Sequence, residues 1–70
     1  MPPVMNALHN NVQKYRRAAE LTLEDLAQKV GVTRQTIIAV EKGNYAPSVA
    51  LALKLARILK TPVEELFKIV

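Results

Sequence analysis

Three consecutive side chains, Arg34, Gln35 and Thr36, are of the types that reach the edges of nucleotide bases: a guanidinium fork, a carboxamide and a short hydroxyl. They follow Thr33, whose hydroxyl suits an N-cap, accepting from a backbone N–H of the first helical turn. Ile37 and Val40, one turn apart, fall on the opposite side of the same helix. A helix over Arg34–Glu41 would therefore turn its apolar side inward and begin its outward side with hydrogen-bonding groups. Enzyme chemistry is poorly served. His9 is the only histidine and there is no cysteine. No serine or threonine stands beside a base in a nucleophile pattern, and neither a glycine-rich phosphate loop nor a metal-ligand cluster is present. His9 reads as a solvated side chain, and no cofactor or metal is expected.

The elements that must position these side chains lie in Leu23–Lys42, LEDLAQKVGVTRQTIIAVEK. This stretch reads as a short helix, a tight turn and a second short helix. Ala27 falls where the helices would cross, and Gly31 falls in the turn, where positive φ is needed. Leu26 and Val30 would face Ile37 and Val40. Thr22 and Asp25 form a capping box with Asp in place of Glu or Gln, and Glu24 and Asp25 meet the positive end of the helix dipole. The pattern is a helix-turn-helix with Arg34–Glu41 as its recognition helix.

Residues 1–5 read as an extended lead-in containing Pro2 and Pro3, with Asn6 as the N-cap of a first helix. Leu8, Val12, Tyr15 and Ala19 fall on one face of that helix, while Lys14 and Arg17 fall elsewhere and read as solvated. After the recognition helix, Gly43 supplies a stop and Gly43–Pro47 a loop. Ser48 would cap a fourth helix through Leu59, whose apolar residues exceed one stripe and predict burial on most sides. Thr61 would cap a fifth helix, with Pro62 at its first position and Glu64 completing a second capping box. Val63, Leu66 and Phe67 can return to the core.

Seventy residues allow one domain, and such a domain buries only about 60% of its unfolded surface. Half of the residues are hydrophobic but only two Tyr and one Phe are aromatic, which suits a helical core of Leu, Val, Ile and Ala. No apolar run approaches the ~20 residues that span a bilayer. The N-terminus has no basic region followed by an apolar segment, so no signal peptide is expected. A soluble cytoplasmic protein with no membrane partner follows. The net charge of +4 is compatible with a polyanion, although where the charges sit matters more than their sum.

The segment LTLEDLAQKVGVTRQTIIAVEKGNYAPS resembles the phage-repressor-like (Xre/Cro-type) helix-turn-helix family, above all its short stand-alone bacterial and archaeal members. The likeness rests on Arg16 before Leu21, Leu26-Ala27, Gly31-Val32, Ile37, Val40-Glu41, Gly43, Pro47-Ser48 and the closing Glu65-Leu66-Phe67. It implies a compact all-α, five-helix, lambda-repressor-like domain that binds double-stranded DNA sequence-specifically. It further implies a homodimer on a palindromic operator, acting as a transcriptional regulator and most simply as a repressor that occludes a promoter.

The resemblance carries base reading onto Arg34, Gln35, Thr36 and Ile38. Arg34 would fork onto guanine and Gln35 would pair with adenine, each worth ~1–3 kcal/mol of discrimination, while Thr36 and Ile38 would offer methyl groups to thymine. Phosphate contacts carry over to Thr33, Lys42, the Gly43 amide, Asn44 and Tyr45, and the positive end of the second helix also points at a phosphate. Arg16 and Glu41 correspond to a structural ion pair between the first and third helices. Three positions depart from the family: Leu23 and Glu20, where Gln and Gly are common, and Ile38, where a polar residue is common. The apolar excess near the C-terminus reads as a dimer interface of Leu51, Leu66, Phe67, Ile69 and Val70. Leu23 and Ile38 also support an alternative, a protein-interaction or antitoxin-like module with weakened base reading.

Overall fold

A computed structural model describes residues 8–69. In chain order the elements are β1 (Leu8–Asn10), α1 (Val12–Ala18), α2 (Leu23–Val30), α3 (Arg34–Lys42), α4 (Val49–Leu59), α5 (Val63–Leu66) and β2 (Phe67–Ile69). The five helices match the all-α expectation. The two strands add a short antiparallel ribbon in which Leu8 lies opposite Ile69, His9 opposite Lys68 and Asn10 opposite Phe67. The extended lead-in of residues 1–5 and the Asn6 cap lie outside the described residues.

The first helix therefore begins later than its apolar spacing predicts. Leu8 belongs to β1, and the N–H of Val12 donates to the Asn10 side-chain oxygen at 3.1 Å, which starts α1. Pairing with a strand at the far end of the chain overrides the local helical period.

The core collects one side of each helix. Val12, Leu26, Ile37, Val40, Leu55 and Leu66 are all less than 2% exposed, with Ala27, Val30, Leu51 and Leu59 close behind. The helix-turn-helix crossing forms as the sequence suggests: Ala27 and Ile37 are both buried and Gly31 has φ +77°. Helix α4 departs from expectation. Only Leu51, Leu55 and Leu59 are buried, a single stripe, while Val49 and Leu53 remain 76% and 57% exposed.

Four helices end in the same way. The N–H of the residue after the left-handed one reaches back five residues, as in Leu21 to Arg16 O, Val32 to Ala27 O, Asn44 to Ala39 O and Thr61 to Ala56 O. Each such ending needs one left-handed residue. Gly31 and Gly43 fill two of them, but Glu20 (φ 60°) and Lys60 (φ 54°) fill the others. The ending at Lys60 also displaces the second capping box. Thr61 is committed to closing α4: its N–H bonds Ala56 O and its hydroxyl donates to Leu59 O at 2.9 Å. Pro62 becomes the N-cap of α5, with ψ 148° and no side-chain cap. The first capping box does form. Thr22 Oγ1 accepts from Asp25 N–H at 2.9 Å, and the Asp25 carboxylate accepts from Thr22 N–H at 3.0 Å. That backbone bond from Thr22, then its side-chain bond and the charge of Lys29, hold the Asp25 carboxyl below its ordinary pKa.

A left-handed non-glycine residue costs about 1–2 kcal/mol, and glycine loses about 0.5–1 kcal/mol more backbone entropy on folding. Glu20→Gly and Lys60→Gly should each stabilise the fold by about 0.5 kcal/mol, additively, in urea denaturation. Destabilisation by both would show that these turns hold no strain.

Candidate nucleic-acid interface

Helix α3 is anchored on its inner side and open on its outer side. Ile37 and Val40 are fully buried, and Glu41 is clamped by Arg16. Arg16 Nε donates to Glu41 Oε2 at 2.6 Å and Nη2 to Oε1 at 3.2 Å, while Nη1 donates to the Leu21 carbonyl at 2.9 Å. Gln13 Nε2 adds a longer bond to Glu41 Oε1 at 3.4 Å. The pair is almost out of water, with side chains 9% and 6% exposed. It joins α1, the turn after α1 and α3 through one planar group.

The outward face of α3 runs Arg34, Gln35, Ile38, Ala39 and Lys42, at the spacing of one helical side, and with Asn44 these residues line a shallow groove of about 300 Å³. Arg34 and Gln35 are exposed, and among the described residues neither side chain has a hydrogen-bond partner. Thr33 caps the helix, its hydroxyl accepting from Thr36 N–H at 3.2 Å and lying 3.0 Å from the Thr36 hydroxyl. Ala39, which the sequence reading passed over, shares this face with Gln35 and lines a second groove with Gln35, Thr36 and Tyr45. Its position one turn after Gln35 was the available signal.

Ile38 is half-buried and shares a third groove, of about 460 Å³, with Gln13, Arg17, Leu23 and Lys42. Two of the three departures from the family pattern, Leu23 and Ile38, thus lie side by side. At the end of α3 the Gly43 amide is already spent: its N–H donates to Val40 O at 3.0 Å, and that of Asn44 to Ala39 O at 3.0 Å. The loop's side-chain donors, Asn44 and Tyr45, are both exposed.

The residues assigned to a dimer interface divide. Leu51 and Leu66 are 6% and 0% exposed and fill the chain's own core, so they cannot present a surface to a second copy. Phe67 is half-buried and Ile69 is 76% exposed, while Val70 lies outside the described residues. Among the described residues no helix is long and apolar enough to cross a membrane, and no group of His, Asp and Glu is placed to hold a metal.

A helix-turn-helix family model matches residues 12–66. An uncharacterised HTH-type transcriptional regulator of Methanocaldococcus jannaschii is 50% identical over 60 residues, covering 86% of this chain and 91% of its own. Another, from Methanothermobacter thermautotrophicus, is 51% identical over 57 residues, covering 80% and 83%. Among solved structures, the restriction-modification controller protein C.AhdI from Aeromonas hydrophila aligns with a TM-score of 0.73 at 33% identity, over 79% of this chain and 83% of that one. The N-terminal DNA binding domain of SinR from Bacillus subtilis aligns with a TM-score of 0.71 at 25% identity, over 77% and 80%. The chain belongs to the Xre/Cro-like helix-turn-helix family. It is a transcriptional regulator with a helix-turn-helix DNA-binding fold, not an enzyme.

Arg16→Met would leave Glu41 buried without its counter-charge, at a cost of about 3–5 kcal/mol. Adding Glu41→Leu should return most of that loss, because removing both charges also removes the desolvation cost. Urea denaturation of the single and double variants measures this; a single variant costing under about 1 kcal/mol would show the pair to be solvated.

Proposed function

We propose that the chain regulates transcription by binding double-stranded DNA sequence-specifically as a homodimer, with α3 in the major groove and repression as the outcome. One observation carries the reading. Arg34 and Gln35 stand exposed and unbonded at the start of a helix whose opposite side is locked to the core and to α1. Arg34 takes guanine O6 and N7, and Gln35 takes adenine N6 and N7. Thr36 and Ile38 offer methyl groups to thymine, with Ala39 beside them. Thr33, Lys42, Asn44 and Tyr45 hold phosphates on either side and set the register of the helix. The short relatives named as HTH-type transcriptional regulators support the same role, as does the likeness to the SinR DNA binding domain. A cytoplasmic location fits this work.

One recognition helix makes few contacts, and two-fold pairing doubles them on a palindromic site. With Leu51 and Leu66 internal, the exposed or half-buried apolar side chains that would serve pairing among the described residues include Phe67 and Ile69, with Val49 and Leu53 one turn apart on α4. Sedimentation should give a dimer at tens of micromolar, and a monomer there removes the pairing. A second reading, a protein-interaction module, draws on the groove lined by Leu23 and Ile38, which would seat an apolar side chain of a partner. Recovery of a stoichiometric protein partner together with no footprint on any DNA would decide for it.

Selection of sites from random duplexes, followed by affinity measurements across salt, tests the DNA reading. Arg34→Ala should cost about 1–3 kcal/mol at one base position of each half-site and relax the choice there. Lys42→Ala should weaken every sequence alike and shallow the salt dependence by about one unit of slope per protomer. Equal losses on all sequences for Arg34→Ala would remove its base-reading role, and no binding to any duplex at low salt would end the proposal.

A further inference from the structure

We propose that Asn10 is a positioning residue for α3, tying the pairing of the two terminal strands to the placement of the helix end that carries Lys42 and the Gly43–Tyr45 loop. Its side-chain amide faces two directions at once. Nδ2 donates to the Val40 carbonyl at 2.9 Å and, more weakly, to that of Glu41 at 3.5 Å. Oδ1 accepts from Val12 N–H at 3.1 Å. Two carbonyls on one side and an N–H on the other leave a single orientation of the carboxamide that satisfies all three. Val40 O already accepts from Gly43 N–H at 3.0 Å, so the Asn10 amide takes its second lone pair and ties that end of the helix to the ribbon. Among the described residues Asn10 is the only side chain from another element that bonds the α3 backbone.

Asn10 is in turn held by the ribbon, where it lies opposite Phe67. The same junction encloses a groove of about 250 Å³ between the ribbon and the loop after α3, lined by Leu8, Asn10, Val40, Asn44, Tyr45 and Phe67 among others. A strand pair at the chain ends thus sets the end of the helix that reads DNA. Asn11 supplies the contrast: its Nδ2 donates to Glu65 O at 3.0 Å and its N–H to Leu66 O at 2.8 Å, so it fastens α1 to α5 without touching α3.

The test compares Asn10→Asp with Asn11→Asp in the full chain. Asp at position 10 keeps the acceptor for Val12 N–H but sets a charged oxygen against two carbonyls. Amide hydrogen exchange at Gly43 and Asn44, relative to the rest of α3, should speed by about tenfold in Asn10→Asp. Affinity for the selected site should fall five- to tenfold. Asn11→Asp should alter both only as far as it lowers global stability. Asn10→Ser, which keeps an acceptor but cannot reach α3, should repeat the pattern and serves if the Asp variant does not fold. If both positions act in proportion to global stability, or exchange at Gly43 and Asn44 is unchanged, the assignment falls. The affinity arm rests on the DNA-binding reading given above; a wild-type protein that binds no duplex would sink that reading, while the exchange ratio would still decide for or against Asn10.

Discussion

The guanidinium of Arg16 is bonded at three points to two other parts of the chain, the Glu41 carboxylate and the Leu21 carbonyl. Buried ion pairs repay little of their desolvation cost, and apolar replacements are often as stable. What this one contributes is geometry. Leu, Ile and Val side chains pack in several ways at similar energy, so a core made of them leaves the rotation of α3 about its axis weakly determined. A planar fork that must meet both oxygens of Glu41 and one backbone carbonyl admits one arrangement of α1 and α3. Glu41 lies on the flank of α3, between the buried row of Ile37 and Val40 and the outward row of Ile38 and Lys42. Fixing Glu41 therefore fixes which residues point away from the protein.

The turn after α1 is part of the same lock. Glu20 adopts a left-handed conformation, and this reversal brings Leu21 back over the end of α1. Leu21 N–H then donates to the Arg16 carbonyl, and Leu21 O accepts from the Arg16 side chain. One residue thus satisfies both backbone groups of Leu21. Strain at Glu20 persists because the bonds on either side of it determine the turn twice over. At Gly31 and Gly43 the same reversal comes without a Cβ to strain.

The helix-turn-helix was legible because its signals are local. A cap at Thr33, the left-handed position at Gly31 and the small residue at Ala27 each act within a few positions, and the apolar period joins them. The Arg16–Glu41 pair, 25 residues apart, was reached through resemblance rather than spacing. What stayed hidden depends on distant partners. Nothing near Leu8 announces that it will pair with Ile69, and its helical spacing with Val12 pointed the other way. Thr61-Pro62-Val63-Glu64 carries the letters of a capping box, yet Thr61 is drawn into closing α4, a demand set by Lys60. Leu51 and Leu66 fall into the expected dimer surface, though Leu66 is also free to return to the core, because composition counts apolar residues without locating them. Helix α4 buries one stripe of its apolar side chains and leaves Val49 and Leu53 outside.

The outward side of α3 has charge at its ends and none between. Arg34 and Lys42 are eight residues apart, about 12 Å along a helix, close to the width of a major groove. Between them lie Gln35, Ile38 and Ala39. Both terminal cations are attracted to any duplex; Lys42 raises affinity without choosing a sequence, whereas Arg34 in the proposed reading adds a guanine preference to the same attraction. The neutral middle responds differently. Ile38 and Ala39 lose no hydrogen bonds when water leaves, but the Gln35 amide does, and an unpaired amide costs about 1–3 kcal/mol. A matching adenine restores both the donor and the acceptor bond, while another base meets only part of that pattern. In a groove, such a helix would select its site by penalising mismatches against a background attraction that is the same everywhere. That would require the middle of α3 to be pressed close enough to exclude water, and the bonds of Arg16 on one flank and Asn10 at the helix end are what hold α3 in one orientation on the domain.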